Sequence, residues 1–348
     1  MRTIRNLFVS AVAALLWLGS ANAAEKELFI YNWSNYLPPD LIKRFEDETG
    51  IKVTLDVYDS NETMLAKLQA GATGYDIVVP SGYMVRTMIK EGLAEKIDAA
   101  SLPNFKNVAK PHDAPPFDPK SEYSAPYMWG TTGITYDSAR VPGGKLEDSW
   151  KEFFEPRPEL KGQVVALNDQ VEVWNAAAYY LGIDKCTSSA EDGQKILTLL
   201  EAQKPELAMY QSSGTIDRMV AGEVIMHHQW NGASHRVRAK LPTARYLYPK
   251  EGISLWGDHF VVPKGAPNVE NAKTFINWMM DPKNIAEASN FTGYMNAISG
   301  SDQYLDDSLK SDPAVNMPKE YAARLRPSQD CSKESRELRD KVWTRLKK

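Results

Sequence analysis

Aromatic and acidic side chains that together can hold an organic cation recur at the ends of this chain's apolar runs. Residues 28–36 read Leu-Phe-Ile-Tyr-Asn-Trp-Ser-Asn-Tyr, a short β-type run that stops at Trp33, Ser34, Asn35 and Tyr36 just before Pro38 and Pro39. If a proline-led turn follows, the aromatics at this exit cannot all enter a core, so a ligand platform would sit here. Trp230, Trp256 and Tyr294 also stand beside polar or acidic neighbours at strand or loop ends, and Asp169, Glu172 and Asp258 supply carboxylates. Alkylammonium ions are drawn to aromatic faces by about 0.5–2 kcal/mol each. A buried ammonium also needs carboxylate partners, because an unpaired buried charge is very costly. An aromatic slot with acids spaced along it binds such a cation without any catalytic group.

Each of these residues also has a plainer reading. Asp169 and Glu172 straddle the start of a helix three residues apart, so both can face one side of its first turn. Taken alone, that pair reads better as N-capping by Asn168 or Asp169, with Glu172 complementing the helix dipole. Trp174 reads as core, a lone acid such as Asp258 near the start of a strand is usually solvated, and a single tryptophan usually packs. At Pro80-Ser81-Gly82-Tyr83 a strand ends in a turn that leads to a helix, as ligand sites in open α/β sheets do; the alternative is an ordinary helix cap by Ser81. Trp230-Asn231-Gly232 reads as the end of a strand and the beginning of a turn.

Motifs for catalysis are missing: there is no G-x-S-x-G elbow, no phosphate-binding G-x-x-x-x-G-K-[ST] loop, no H-E-x-x-H and no G-x-G-x-x-G. Of the histidines, His112, His227, His228, His235 and His259, the adjacent His227 and His228 would point to opposite faces of a strand and cannot chelate one metal together. Core or surface histidines are expected.

The elements that must position these groups follow from periodicity. Strands are expected at 28–31, 51–57 and 76–80, alternating with helices at 39–48, from Ser60 as N-cap, and at 85–91. This order calls for a parallel sheet covered by helices on both faces. After a strand near 133–136 the pattern recurs, with strands at 164–167 and 224–229 and helices at 172–181, 193–203 and 216–221. Further strands are expected at 246–248 and 254–262, a helix at 269–280, and a charged helix in the tail from Ser332 to Lys347.

Arg2 and Arg5 precede an apolar stretch from Leu7 to Leu18, and Ala21-Asn22-Ala23 has the A-x-A pattern of a cleavable signal peptide, so the mature chain is expected to begin at Ala24. The stretch falls short of the roughly 20 apolar residues of a membrane span, and no Cys stands beside the cleavage site to carry a lipid. Without the two signal arginines the chain has 39 Lys plus Arg against 45 Asp plus Glu, a formal charge of −6, which disfavours bulk nucleic-acid binding. The mature length exceeds the roughly 250–300 residues at which a single core stops growing, so two domains are expected. In an exported chain Cys186 and Cys331 can pair, tying a mid-chain segment to the tail, or remain two structural thiols.

The segments YNWSNYLPPDLIKRFEDETGIKV, YDSNETMLAKL, YDIVVPSGYMV, EGLAEKID, PYMWGTTGI, WNG and YPKEGISLWGD, in this order, resemble the periplasmic spermidine/putrescine-binding proteins of bacterial ABC transporters over nearly the whole mature chain. The resemblance implies an α/β, two-lobed periplasmic binding protein fold, each lobe a central β-sheet flanked by helices, with the ligand in the cleft between lobes. The lobes would comprise residues 24–133 with 255–302, and 134–254 with 303–348. It implies that the ligand's alkyl chain lies between Trp33, Tyr36, Trp230, Trp256 and Tyr294. Asp169, Glu172 and Asp258 would meet the amines, with polar contacts from Ser34, Asn35, Ser81, Tyr83, Ser212 and Gln329.

Two departures bear on ligand choice. Relatives carry an acid where this chain has Asn35, and a charge pair at 4 Å is worth about 4 kcal/mol at an effective dielectric near 20 before desolvation. Relatives specialised for putrescine carry another acid where this chain has Ala233, which leans the reading towards a spermidine-type site. The expected function is capture of a polyamine by lobe closure and delivery to a membrane permease, by a monomer that needs no cofactor or metal. The alternatives are a polyamine-sensing module for a membrane receptor and an exported carboxylate-pair glycoside hydrolase using Asp169 and Glu172.

Overall fold

Leu28 and Ile30 turn to one face of the first strand and Tyr31 to the other, and all three are buried, so the sheet they enter must be covered on both sides. The computed structural model describes residues 26–71 and 74–348, and the expected signal peptide lies outside them. The chain opens with β1 (Glu27–Trp33), α1 (Pro39–Thr49), β2 (Lys52–Tyr58), α2 (Asn61–Gln69), β3 (Ile77–Val78), α3 (Gly82–Lys90) and β4 (Ser124–Asp137). Local chemistry explains these boundaries. Pro39 starts α1 where its missing N–H costs nothing, and Gly50, at φ 71°, closes it in the left-handed region. Ser60 caps α2 by accepting the Thr63 N–H at 3.2 Å.

A second unit follows: α4 (Lys151–Phe154), β5 (Val164–Ala166), α5 (Gln170–Leu181), α6 (Ala190–Gln203), β6 (Met209–Tyr210), α7 (Thr215–Val220), β7 (Met226–Trp230), α8 (Asn231–Lys240) and β8 (Ala244–Leu247). The chain then returns through β9 (Ile253–Val261), α9 (Val269–Met279), α10 (Pro282–Thr292) and β10 (Met295–Asn296). It ends with α11 (Asp307–Ser311), β11 (Leu325–Pro327) and α12 (Lys333–Lys347).

Hydrogen bonding runs in the order β2-β1-β3-β9-β4-β7-β5-β6, with β8 and β10 on β4 and β11 on β9. The two lobes' sheets are therefore joined, and β4 joins them: residues 124–132 pair with β9 while residues 132–136 pair with β7. Periodicity predicts only the last third of β4, because Pro126 and Gly130 interrupt the pattern before it. In the structure Pro126 borders a register irregularity that ends at Trp129. This is where a strand tolerates proline.

One face of the first sheet packs on α1 and α9 through Leu41, Phe45, Phe275 and Ile276; the other packs on α2 and α3 through Met64, Leu68, Met84 and Met88. In the second unit Trp174, Ile196 and Leu200 pack with Val342 and Leu346 of α12, and Ile216, Met219 and Val237 fill the opposite side. Each such side chain contributes about 1.5–3 kcal/mol by leaving water. Past residue 302, Leu305, Leu309 and Val315 cluster with Ala286 of α10 before the tail reaches α5 and α6.

The expected turn at Trp230-Asn231-Gly232 is instead the start of α8, with Trp230 as the extended residue that precedes it. Helix α10, which periodicity does not mark, has its own cap: Asp281 accepts the N–H groups of Lys283 and Asn284 at 2.9 and 3.4 Å, Pro282 opens the first turn, and Gly293 ends it at φ 83°. His227 and His228 are core residues, and burial lowers their pKa values to about 4 and about 3.

Cys186 and Cys331 form a disulfide across 145 residues, with Cα atoms 5.0 Å apart. It fastens the segment before α12 to the loop after α5. Bridges that close long loops typically contribute about 2–4 kcal/mol. Replacing both cysteines by serine is expected to lower the unfolding free energy by that amount in a denaturant titration, and an unchanged midpoint would show that α12 packing alone holds the tail.

Candidate ligand-binding site

The strand ends of both lobes converge on one cavity of about 170 Å³, narrower than the roughly 300–1,000 Å³ of drug-sized pockets. That dimension suits a slim, linear molecule. Trp33 ends β1, lies half-buried with its indole N–H donating to the Val79 carbonyl at 2.8 Å, and meets Trp230 of the other lobe edge to face at 6.3 Å. Asn35 turns the chain in the left-handed region at φ 57°, a conformation that asparagine tolerates better than most residues. The turn returns Tyr36 inward, where it packs at 5.5 Å on Tyr294. Tyr294 in turn lies 5.1 Å from Trp256.

These rings are placed by close backbone approach. A Cβ on Gly130 would sit 2.4 Å from Asn231 Oδ1 and 2.7 Å from the Trp256 ring, and one on Gly232 would sit 2.5 Å from the Tyr294 ring. Any larger residue at either position would collide with these rings. The Trp256 indole N–H donates to Thr132 Oγ1 at 3.0 Å, which fixes the ring plane.

Asp258 is the charged centre. It is 5% exposed, not solvated as a lone acid at a strand start would be, because β9 is an interior strand. Ser81 Oγ donates to its Oδ1 at 2.6 Å and Tyr36 OH to its Oδ2 at 2.9 Å. Ser81 makes no side-chain cap on α3: its hydroxyl accepts from Asn61 Nδ2 at 3.1 Å and turns its proton to Asp258. Burial pushes the Asp258 carboxyl up to about 7 against the pull of these two donors.

Asp169 satisfies both of its readings. Its Oδ1 caps α5 by accepting from the N–H groups of Val171 and Glu172 at 2.9 and 3.1 Å, and the residue also lines the cavity. Burial first, then the Glu172 and Glu62 charges, raise its pKa well above the carboxylate range. Glu172, one turn on, is raised to about 7 by burial, opposed by the nearby Ser254 and Thr132 hydroxyls and by Lys185. One of its oxygens is buried with no hydrogen-bond partner among the described residues. An unpaired carboxylate oxygen is costly, and an ammonium N–H is the donor that relieves it.

Of the remaining expected residues, Ser34, Tyr83 and Ser212 line the cavity. Tyr83 OH donates to Glu62 at 3.1 Å, and Ser212 Oγ accepts the Asn168 N–H at 3.0 Å. Gln329 does not line it. Its neighbour Ser328 does, with its N–H donating to the Leu255 carbonyl at 2.8 Å. Consecutive residues of an extended segment face opposite sides, so Gln329 turns away towards the disulfide. Sequence reasoning missed Tyr58, Asn61, Asn175, Thr292 and Arg236, which also line the cavity. Tyr58 is the parallel partner of Trp33, and an aromatic at the end of each strand was the available signal.

Seven aromatic residues and the carboxylates of Asp169, Glu172 and Asp258, with no histidine or cysteine among the lining residues, form a receptacle for an aliphatic cation. The acids bear on stability. Asp258 and Glu172 titrate at about 7 when folded against roughly 4 when unfolded, so between these values the folded state binds more protons. The ligand-free protein is therefore expected to lose stability as pH rises from about 4 to about 7, with the loss complete above 7. A cationic ligand should restore most stability at the alkaline end; melting curves across this range, with and without ligand, test it, and a ligand shift independent of pH would refute it. Asp258→Asn is expected to weaken binding of an alkylammonium ligand more than tenfold by calorimetry, and unchanged affinity would remove Asp258 from the site.

Residues 40–318 match the family described as bacterial extracellular solute-binding protein. The chain is 33% identical over 345 residues to the putrescine-binding periplasmic protein SpuD of Pseudomonas aeruginosa, covering 94% of each chain. It is 36% identical over 288 residues to the spermidine/putrescine-binding periplasmic protein of Escherichia coli, covering 82% of each. Its fold superimposes on the structure of a putative spermidine/putrescine ABC transporter from Listeria monocytogenes with a TM-score of 0.87 at 31% identity, over 92% of this chain and 99% of that one.

Proposed function

The chain belongs to the family of bacterial extracellular solute-binding proteins, and we propose that its cleft captures a linear polyamine of the spermidine and putrescine class and delivers it to the permease of an ABC transporter. The family is one of transport proteins, not of enzymes. The observation that carries the polyamine reading is Asp258: a buried carboxylate whose two hydrogen bonds come from neutral hydroxyls, inside a box of aromatic rings. Burying a charge costs several kcal/mol unless an opposite charge joins it. A polyamine supplies that charge, since alkyl amines with pKa values near 10.4 are protonated at neutral pH.

The same reading gives the other residues their roles. Trp33, Tyr36, Trp230, Trp256 and Tyr294 would flank the methylenes, and Asp169 and Glu172 would hold one terminal ammonium. Ser34, Ser81, Tyr83 and Ser212 would complete the polar contacts. The lobes would close about β4 and β9, the strands that run between them. The chain would work as a monomer in the periplasm after signal-peptide removal behind Ala23, with no affinity for nucleic acid.

Titration calorimetry on the mature protein, unfolded and refolded to strip carried-over ligand, tests this against spermidine, putrescine and cadaverine, with a sugar as control. Submicromolar binding of at least one amine is expected. Absence of heat with every amine would overturn the substrate class.

A further inference from the structure

Arg236 places a cation in the wall of a cavity otherwise suited to binding one. Ala233, Arg236 and Lys240 stand on successive turns of α8 and all three line the cavity. The Arg236 guanidinium lies 4.7 Å from the centroid of the Phe291 ring, and the residue is half-buried. The groups that act on it are Tyr294 and Asp217. Asp217 is exposed, where water and salt screen its charge.

The polar groups run through the site in order. Asp169 and Glu172 stand at the start of α5, Asp258 accepts from Tyr36, Tyr36 packs on Tyr294, and the Tyr294 ring abuts Gly232 of α8, one turn before Arg236. The cavity is therefore acidic from Asp169 through Asp258, and beyond Tyr294 it presents Arg236 and Lys240, with the exposed Asp217 beside them. Neither Asn35 nor Ala233, which also line the cavity, adds a carboxylate to it. An ammonium at the Asp169–Glu172 end and a second at Asp258 are both met by carboxylates. A third, carried past Asp258 towards α8, meets a guanidinium.

We propose that Arg236 determines ligand length, favouring linear diamines over triamines by repelling an ammonium that extends beyond Asp258. This rests on the polyamine reading above, and it reverses the lean towards a spermidine-type site that Ala233 alone suggests.

Calorimetry with putrescine and spermidine on the wild type, Arg236→Gln and Arg236→Lys tests it, with melting curves to verify folding. The wild type is expected to bind putrescine at least tenfold more tightly than spermidine. Arg236→Gln should reduce that ratio at least tenfold, and Arg236→Lys should keep it, because lysine retains the charge. A wild type that prefers spermidine, or a ratio unmoved by Arg236→Gln, would overturn the proposal. Binding of neither amine by the wild type would overturn the polyamine reading itself, and this proposal with it.

Discussion

The carboxylate of Asp258 is kept out of water by the fold and partnered only by two neutral hydroxyls, and most of the site can be understood as built around that incomplete interaction. Ser81 reaches it from the exit of β3 and Tyr36 from the turn after β1. Ser81 arrives because Val78 pairs with Val261 and Ser81 itself bridges Asp258, and Tyr36 because β1 pairs with β3. A slip of one residue in that register would turn Asp258 to the opposite face of β9 and leave the hydroxyls without an acceptor. The aromatic rings around it exclude water, which keeps its charge unscreened and its proton affinity high.

The long strand β4 and its partner β9 make a two-lobed molecule of one hydrogen-bonded sheet. The cavity lies where the ends of both lobes' strands approach each other. Ion pairs on this side include Lys90 with Asp330 at 2.7 Å and Arg339 with Glu62 at 3.9 Å. Lys90 is largely exposed, whereas Asp330 and Arg339 are each 8% exposed. A cationic ligand that bridges Asp258 and Glu172 would favour whichever arrangement of the lobes brings both acids to it, since its charge completes interactions that these carboxylates lack.

Much of the local structure was legible in the residues. Pro39 and Gly50 bound α1, Ser60 caps α2, and Trp174 is in the core, because capping and apolar periodicity depend on neighbours a few positions away. Other elements were hidden for identifiable reasons. The first two thirds of β4 carry a proline and a glycine that normally end strands, and α8 reads Asn-Gly-Ala-Ser-His-Arg-Val-Arg-Ala-Lys, too polar for its helical face to stand out. The Asp281, Pro282 and Gly293 signals of α10 were present but lacked a strong apolar stripe between them.

The sequence by itself determined which side chains could bind a cation, which strand ends they occupy, and that the chain forms two α/β units, all consequences of residue type and short-range pattern. Tertiary structure alone decided which acids are buried and which are solvated. It turned Ser81 from a helix cap into a donor to Asp258, gave Asp169 a cap and a place in the cavity at once, faced Gln329 away, and set Arg236 at the far end of the acidic row. Burial and charge proximity depend on strands paired across more than a hundred residues, so no local pattern carries them.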